Sequence, residues 1–331
     1  HEDDFAARSQ QGRVREGHGD LRLEHIYLQD DGSIDVLDCI EFNQRFRIAD
    51  VCADIVFLAM DLAKQGRADL AEQVLAVYAR ESNDFDIYIF VDFYESYRAF
   101  VRGKLSAFIA SSGHLDTLTQ QQVDQNAREY FLLALASERR SALPPCVVAV
   151  GGIIASGKST VAKRIAAGMS APIVSADRTR KHLAGIEAKD PVDAGAFDGM
   201  YSLAFTDKTY REVMRRAAVV VGSGRSVVLD ASFRPRWSRE LAKQMADTCA
   251  VPFVFVECKV DEQTCLKRLE ERERHRGVSD GRSEIFQDFV KRWEPVTELP
   301  AEQHIVIDTG MPLDQNLKLL RTVIPMQPEI A

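Results

Sequence analysis

The chain holds 331 residues, 46% of them hydrophobic and 28% charged, which is ordinary for a soluble globular protein with core enough for two domains or one large one. A formal net charge of -8 excludes broad nonspecific nucleic-acid binding and leaves room only for a local basic patch. The longest apolar stretch, Val51 to Leu62, is broken by Asp54 and Asp61 and is too short and too charged to span a bilayer.

In chain order, "HGDLRLEH" (His18 to His25) reads as a loop. In "LQDDGSIDVLDC" the pair Asp31-Gly32 lies between two apolar runs, a hairpin signal. From Arg47 to about Arg140 the pattern is helical. Phe90, Phe93, Tyr94, Tyr97, Val101, Leu105 and Phe108 recur at spacings of three and four, which predicts one long buried face of core packing rather than a ligand-stacking platform. "SALPPC" (Ser141 to Cys146) ends that pattern with two prolines. Short runs then alternate with helical windows: "CVVAVGG", "PIVSAD", "SVVLDASF", "VPFVFVECKV" and "HIVIDTG". Valine and isoleucine without polar alternation suit parallel strands buried on both faces. Five of them with intervening helices predict a three-layer α/β domain from about residue 144 onward.

Cys39, Cys52, Cys146, Cys249, Cys258 and Cys265 form no CxxC pair and have no His at metal-ligand spacing. Buried, reduced thiols in a cytoplasmic protein are expected. No signal peptide is visible, and the opening on His1 rather than Met suits a fragment of a longer chain.

The most specific motif is "GGIIASGKST", which supplies GxxxxGK[ST] at Gly152 to Ser159 after an apolar strand and before a helical window. Glycines let the backbone curl until its N–H groups point at phosphate, and the helix N-terminus adds a favourable dipole. Gly152, Ala155, Ser156, Gly157, Lys158, Ser159 and Thr160 are therefore expected to cradle ATP. Lys158 would reach its β/γ-phosphates and Ser159 would ligate Mg²⁺.

Three further elements complete the candidate site. Asp230 ends the run "SVVLD", where a carboxylate can hold Mg²⁺ directly or through water; otherwise it is a turn or cap residue. "SADRTRKHL" places Asp177 and Arg180 three residues apart, nearly one helical turn, so both can face one side. There Asp177 can take a proton from an acceptor hydroxyl and Arg180 can hold an anionic group. In the plainer alternative Asp177 is an N-cap and Arg180 a surface charge. Arg178 and Lys181 are expected in solvent. "RLEERERHRGVSDGRSE" carries Arg268, Arg272, Arg274, Arg276 and Arg282, either as a charged helix surface or as a mobile lid whose Arg272 and Arg276 close over phosphate.

On these motifs, "DRTR" after strand two and "LDASF" on strand three, residues 146 to 310 resemble P-loop kinases of the group that includes polynucleotide kinases, zeta-type toxin kinases and gluconate kinase. The resemblance implies a five-stranded parallel sheet in the order 2-3-1-4-5, ATP with Mg²⁺, and γ-phosphoryl transfer to a hydroxyl, with Asp177 as base and Arg180 on the substrate. Residues 1 to 140 resemble the C-terminal lobe of aminoglycoside phosphotransferases, a mostly helical, protein-kinase-like lobe. "HGDL" then aligns Asp20 with the catalytic base, "LDCIEF" aligns Asp38 with the metal-binding Asp, and Asp54 takes a structural acidic position. Two departures stand out. His25 replaces the metal-binding Asn five residues after the base, and imidazole is a poor partner for hard Mg²⁺. The 17 residues before His18 cannot build the ATP-binding N-lobe, which makes Asp20, His25 and Asp38 a vestigial site. The whole arrangement resembles bacterial bifunctional proteins that join such a lobe to an ATP-binding kinase domain.

The expected organisation is 1–142 for the lobe and 143–331 for the P-loop domain. The expected activity is phosphoryl transfer from Mg-ATP to a small-molecule or nucleotide-like hydroxyl acceptor, without nucleic-acid or membrane partners. The alternatives are a nucleotide-dependent switch that releases only inorganic phosphate, and small-molecule kinase activity of the N-terminal half within a longer chain.

Overall fold

The computed structural model describes residues 2–113, 115–135, 144–188, 190, 199–274 and 286–327. The chain divides into two compact units, His1–Tyr78 with Ile87–Arg139 and Ala79–Asp86 with Arg140–Ala331. No helix among the described residues is long and apolar enough to cross a membrane.

The first unit runs α1 (Glu2–Gln10), β1 (Val14–Glu16), β2 (Ile26–Leu28), β3 (Ile34–Val36), β4 (Ile48–Asp50), α2 (Val51–Lys64), α3 (Ala68–Ser82, whose last turn belongs to the second unit), α4 (Val91–Ala110) and α5 (Thr117–Ala134). β2 and β3 form the expected antiparallel hairpin, with Gly32 at φ +83° in its turn, a conformation that favours glycine. β1 pairs with β4, and Asp50 then starts α2 by accepting from the Cys52 amide at 2.8 Å while holding the buried Arg8 in an ion pair. Phe57, Met60, Ala99, Tyr130 and Leu133 form the core of α2, α4 and α5.

The aromatic stripe of α4 corrects its expected burial. Phe90 is buried, but Phe93, Tyr97, Leu105 and Phe108 are exposed, Phe108 at 76%. The helix instead buries Val91, Ala99, Gly103, Ser106 and Ala110. A Cβ on Gly103 would lie 2.9 Å from the Phe131 ring, so the small-residue face is the one that admits α5 closely. Phe93, Tyr97, Phe100 and Phe131 line an open cavity on this unit.

The second unit contains β5 (Val147–Gly151), α6 (Lys158–Met169), β6 (Ile173–Ser175), α7 (Ala176–Leu183), α8 (Leu203–Gly222), β7 (Val227–Asp230), α9 (Arg236–Thr248), β8 (Phe253–Lys259), α10 (Glu262–Arg274), α11 (Phe286–Lys291), β9 (His304–Asp308) and α12 (Leu313–Leu320). Its sheet has the order β6-β7-β5-β8-β9, and every pairing is parallel. All of β5 is buried, as a strand covered on both faces must be. On one face Val148, Val150, Val254 and Val256 pack with Val161, Ile165, Leu317 and Leu320 of α6 and α12. On the other, the Phe255 and Phe233 rings meet at 5.9 Å, and a Cβ on Gly151 would strike Phe255 at 2.6 Å. The registers Val150↔Asp230 and Ser175↔Asp230 bring the carboxyl ends of β5, β7 and β6 side by side, the edge at which open α/β sheets place ligands.

Candidate functional site

The loop leaving β5 has the backbone its glycines require. Gly152 lies at φ +151°, Ala155 at +60° and Gly157 at +85°. A Cβ on Gly152 would stand 2.5 Å from Ser156 Oγ and 2.6 Å from the Cys258 carbonyl, so no larger residue fits. The Gly152 amide donates to the Ser232 carbonyl at 3.0 Å, which ties the loop to the segment after β7. Lys158 and Ser159 open α6, where amides lack intrahelical partners and the helix end carries positive potential. Ser156 is fully buried, and its Oγ has no hydrogen-bond partner.

Two residues outside the motif hold this loop. Thr309 Oγ1 donates to the Ser156 carbonyl at 2.6 Å. Arg268 donates through Nη1 to the Ala155 carbonyl at 3.3 Å and through Nη2 to the Thr309 carbonyl at 2.8 Å. The sequence offered Arg268 only as one of a run of arginines and gave no sign of Thr309 beyond its place after "HIVID". Arg272 lies on α10, but its side chain is outside the described residues, as are Arg276 and Arg282.

Asp230 stands at the end of β7. Burial pushes its carboxyl above the ordinary carboxylate range, and the nearby Asp177 charge adds to the rise; the Lys158 charge and a hydrogen bond with Ser159 oppose it. Its Oδ1 is buried without a hydrogen-bond partner. Lys158, Ser159, Asp177 and Asp230 thus share one electrostatic neighbourhood. An acceptor oxygen left unpaired beside a serine hydroxyl is what a hard, oxygen-seeking cation needs, so these residues fit Mg²⁺. Among the described residues no group of three His, Cys, Asp or Glu side chains is placed to hold a metal ion.

Asp177 sits half-buried in the first turn of α7. Ser175 is the N-cap, its Oγ accepting from the Arg178 amide at 3.5 Å, so Asp177 is released from the capping alternative. Arg180 is 7% exposed. Its Nη1 donates to the Met200 carbonyl and to Thr206 Oγ1, its guanidinium lies 5.0 Å from the Tyr201 ring centroid, and its Nε has no hydrogen-bond partner. Arg178 and Lys181 are not in solvent as their sequence suggested. Lys181 is fully buried with Nζ on the Ala188 and Asp190 carbonyls at 3.3 and 2.9 Å, and the Arg178 side chain is 14% exposed in a pair with Glu81. Burial of both charges is offset by hydrogen-bond partners, those of Arg178 far upstream and those of Lys181 in the segment that follows its helix.

In the first unit, Asp54 accepts from the His18 and Gly19 amides at 2.7 and 2.9 Å. This anchors the loop that carries Asp20. The Asp20 carboxylate takes both Nε and Nη2 of Arg22 at 3.1 and 3.0 Å. His25 places Nδ1 2.8 Å from the Asp20 carbonyl and Nε2 3.4 Å from Asp38 Oδ2. Asp20, His25 and Asp38 are therefore neighbours. All six cysteines are free thiols, with Cys39 and Cys249 partly accessible and the other four buried; burial pushes the Cys258 thiol up to about 12.

Residues 147–296 match the AAA domain family. An uncharacterized protein of Mycobacterium tuberculosis and one of Mycobacterium bovis are each 33% identical to this chain over 291 residues, covering 87% of this chain and 56% of theirs. The chain thus spans about half the length of the curated relatives it matches. Among solved structures, the APS kinase of Mycobacterium tuberculosis in complex with AMPPNP and APS is similar at 18% identity and a TM-score of 0.41, covering 54% of this chain and 97% of that one. A sugar kinase from a Janibacter species is similar at 19% identity and a TM-score of 0.42, covering 57% and 99%.

Proposed function

We propose that the chain is an ATP-dependent phosphotransferase that moves the γ-phosphoryl group of Mg-ATP to a hydroxyl on a small-molecule or nucleotide-like acceptor, with the chemistry in a P-loop domain at 143–331. The observation that carries this reading is the meeting of Lys158, Ser159, Asp177 and Asp230 at the carboxyl ends of three adjacent strands, with Asp230 Oδ1 left unpaired. The loop amides and Lys158 bind the β/γ-phosphates and neutralise charge as the phosphoryl group moves. Ser159 and Asp230 would hold Mg²⁺, which would screen the phosphate charge. Asp177 orients the acceptor hydroxyl and receives its proton. Arg180, through its unpaired Nε, steadies an anionic group of the acceptor. Most of the rate enhancement then comes from positioning and preorganised charge.

Residues 1–142 are proposed to be an aminoglycoside phosphotransferase-like lobe whose Asp20, His25 and Asp38 perform no transfer in this chain. The pairing of Asp20 Oδ2 with both Nε and Nη2 of Arg22 supports that reading. The test is incubation of the chain with labelled ATP and a bacterial metabolite extract, followed by mass spectrometry of labelled products. A phosphorylated small molecule that disappears with Lys158→Ala is expected. Release of inorganic phosphate alone would replace the kinase with a nucleotide-driven switch.

A further inference from the structure

The helix that carries Asp177 is short, and its own hydrogen bonds do not secure it. α7 has eight residues, well below the length at which a helix is stable alone. Four consecutive side chains hold it. Arg178 Nη2 donates to Glu81 Oε2 at 2.8 Å and to the Arg80 carbonyl at 3.2 Å. Thr179 Oγ1 accepts from Arg216 Nη1 at 3.3 Å. Arg180 and Lys181 bond to carbonyls of the stretch between α7 and α8.

Two of the four tethers lead to one segment. Arg216 is 2% exposed, donates also to Asn83 Oδ1 at 3.2 Å, and lies 5.4 Å from the Phe85 ring centroid. Arg215 Nη1 donates to Asp86 Oδ1 at 2.7 Å. Asn83, at φ +53°, turns the chain out of α3 and aims its amide oxygen at Arg216. Burial raises the Glu81 carboxyl, but the Arg178 and Arg80 guanidinium groups outweigh burial and hold it below the usual range. Three arginines of α7 and α8 thus grip residues 80–86, which lie far upstream of β5 in sequence yet belong to the same compact unit.

We propose that residues 80–86 are a positioning strap for the reaction: by holding Arg178 directly and Thr179 through Arg216 they set α7, and with it Asp177, against the phosphate loop. This rests on the proposed function. Glu81 and Asn83 touch no nucleotide and act through α7. An ångström of misplacement at the reacting groups costs about a hundredfold in rate, so partial loosening of the strap is felt in turnover before it is felt in ATP binding.

The experiment uses the full chain with Mg-ATP as probe and water as phosphoryl acceptor. Glu81→Gln, Glu81→Asp, Asn83→Ala, Asp177→Asn and Lys158→Ala are compared. For Glu81→Gln and Asn83→Ala the expected result is a kcat lowered by about tenfold with the ATP KM within about twofold. Amide exchange is expected to quicken over residues 176–183 and to stay unchanged over 158–169. Glu81→Asp, which keeps the charge, recovers most of kcat. Unchanged kcat in both strap variants, with Asp177→Asn and Lys158→Ala impaired, overturns the strap and leaves the proposed function standing. A rise in KM together with faster exchange in α6 also overturns it, because the strap would then be a general support of the domain. Unimpaired Lys158→Ala removes the proposed function itself, and unimpaired Asp177→Asn removes the group the strap positions; the strap falls in either case.

Discussion

Asp20 with its neighbours, its side chain 24% exposed, and Asp230 with its neighbours, its Oδ1 buried, are two acidic clusters in different surroundings. In the first unit each group has found a protein partner: Arg22 takes the Asp20 carboxylate, and His25 lies between the Asp20 carbonyl and Asp38. In the second unit Asp230 Oδ1, Ser156 Oγ and Arg180 Nε are buried without hydrogen-bond partners. Unpaired buried polar atoms cost about 1–3 kcal/mol each. The contrast teaches that residue identity alone does not set how a cluster's polar atoms are paired.

The sharpest way to break the comparison is Lys158→Ala. Loss of the charge that meets the β/γ-phosphates should lower ATP turnover by about 10³-fold or more and weaken ATP binding, read by a phosphate-release assay and calorimetry. Turnover within twofold of the wild type would remove the second cluster from the chemistry. Asp177→Asn comes next. Transfer should fall by about 10²-fold, the scale of a positioned base, while calorimetry with ATP changes little; a matching loss of ATP affinity would place Asp177 on the nucleotide instead.

A thermal measurement tests the cost of the unpaired oxygen. The Asp230 carboxyl is raised by burial above its unbound value of 3.8, so the folded protein binds the proton more tightly than the unfolded chain. Its contribution to stability is then fully present below that value and is lost as pH rises through the higher folded value. Asp230→Asn should flatten this pH dependence and raise the ligand-free melting temperature near neutrality by roughly 2–4 °C, while turnover falls. A lower melting temperature at neutral pH would mean that Lys158 and Ser159 stabilise the carboxylate by more than burial costs it. The smallest effect is expected from Asp20→Asn, whose ATP turnover and products should match the wild type. A large loss with folding intact by circular dichroism would show that the first cluster is the active one.

Much of the second unit was legible because its determinants are local. The GxxxxGK[ST] spacing, the positive-φ positions and the strand before it lie within a dozen residues, and apolar runs reveal a doubly covered parallel strand without reference to what covers it. The hairpin at Asp31-Gly32 was readable for the same reason.

Folding itself chose which of several possible faces and partners each residue would take. On α4, spacing of three and four identified a helix face, yet a second face of small residues lay on the same helix, and close approach to Phe131 chose that one. Arg178 and Lys181 looked solvated because their pattern shows no partner; Glu81 pairs with Arg178 from far upstream, and the carbonyls of Ala188 and Asp190, in the segment after α7, accept from Lys181. The same holds for Arg268 and Thr309 on the phosphate loop. Periodicity and turn chemistry are properties of neighbouring residues, and the sequence determined those. Burial of a charge or the choice between two helix faces depends on atoms brought together by folding, and those the tertiary structure alone decided.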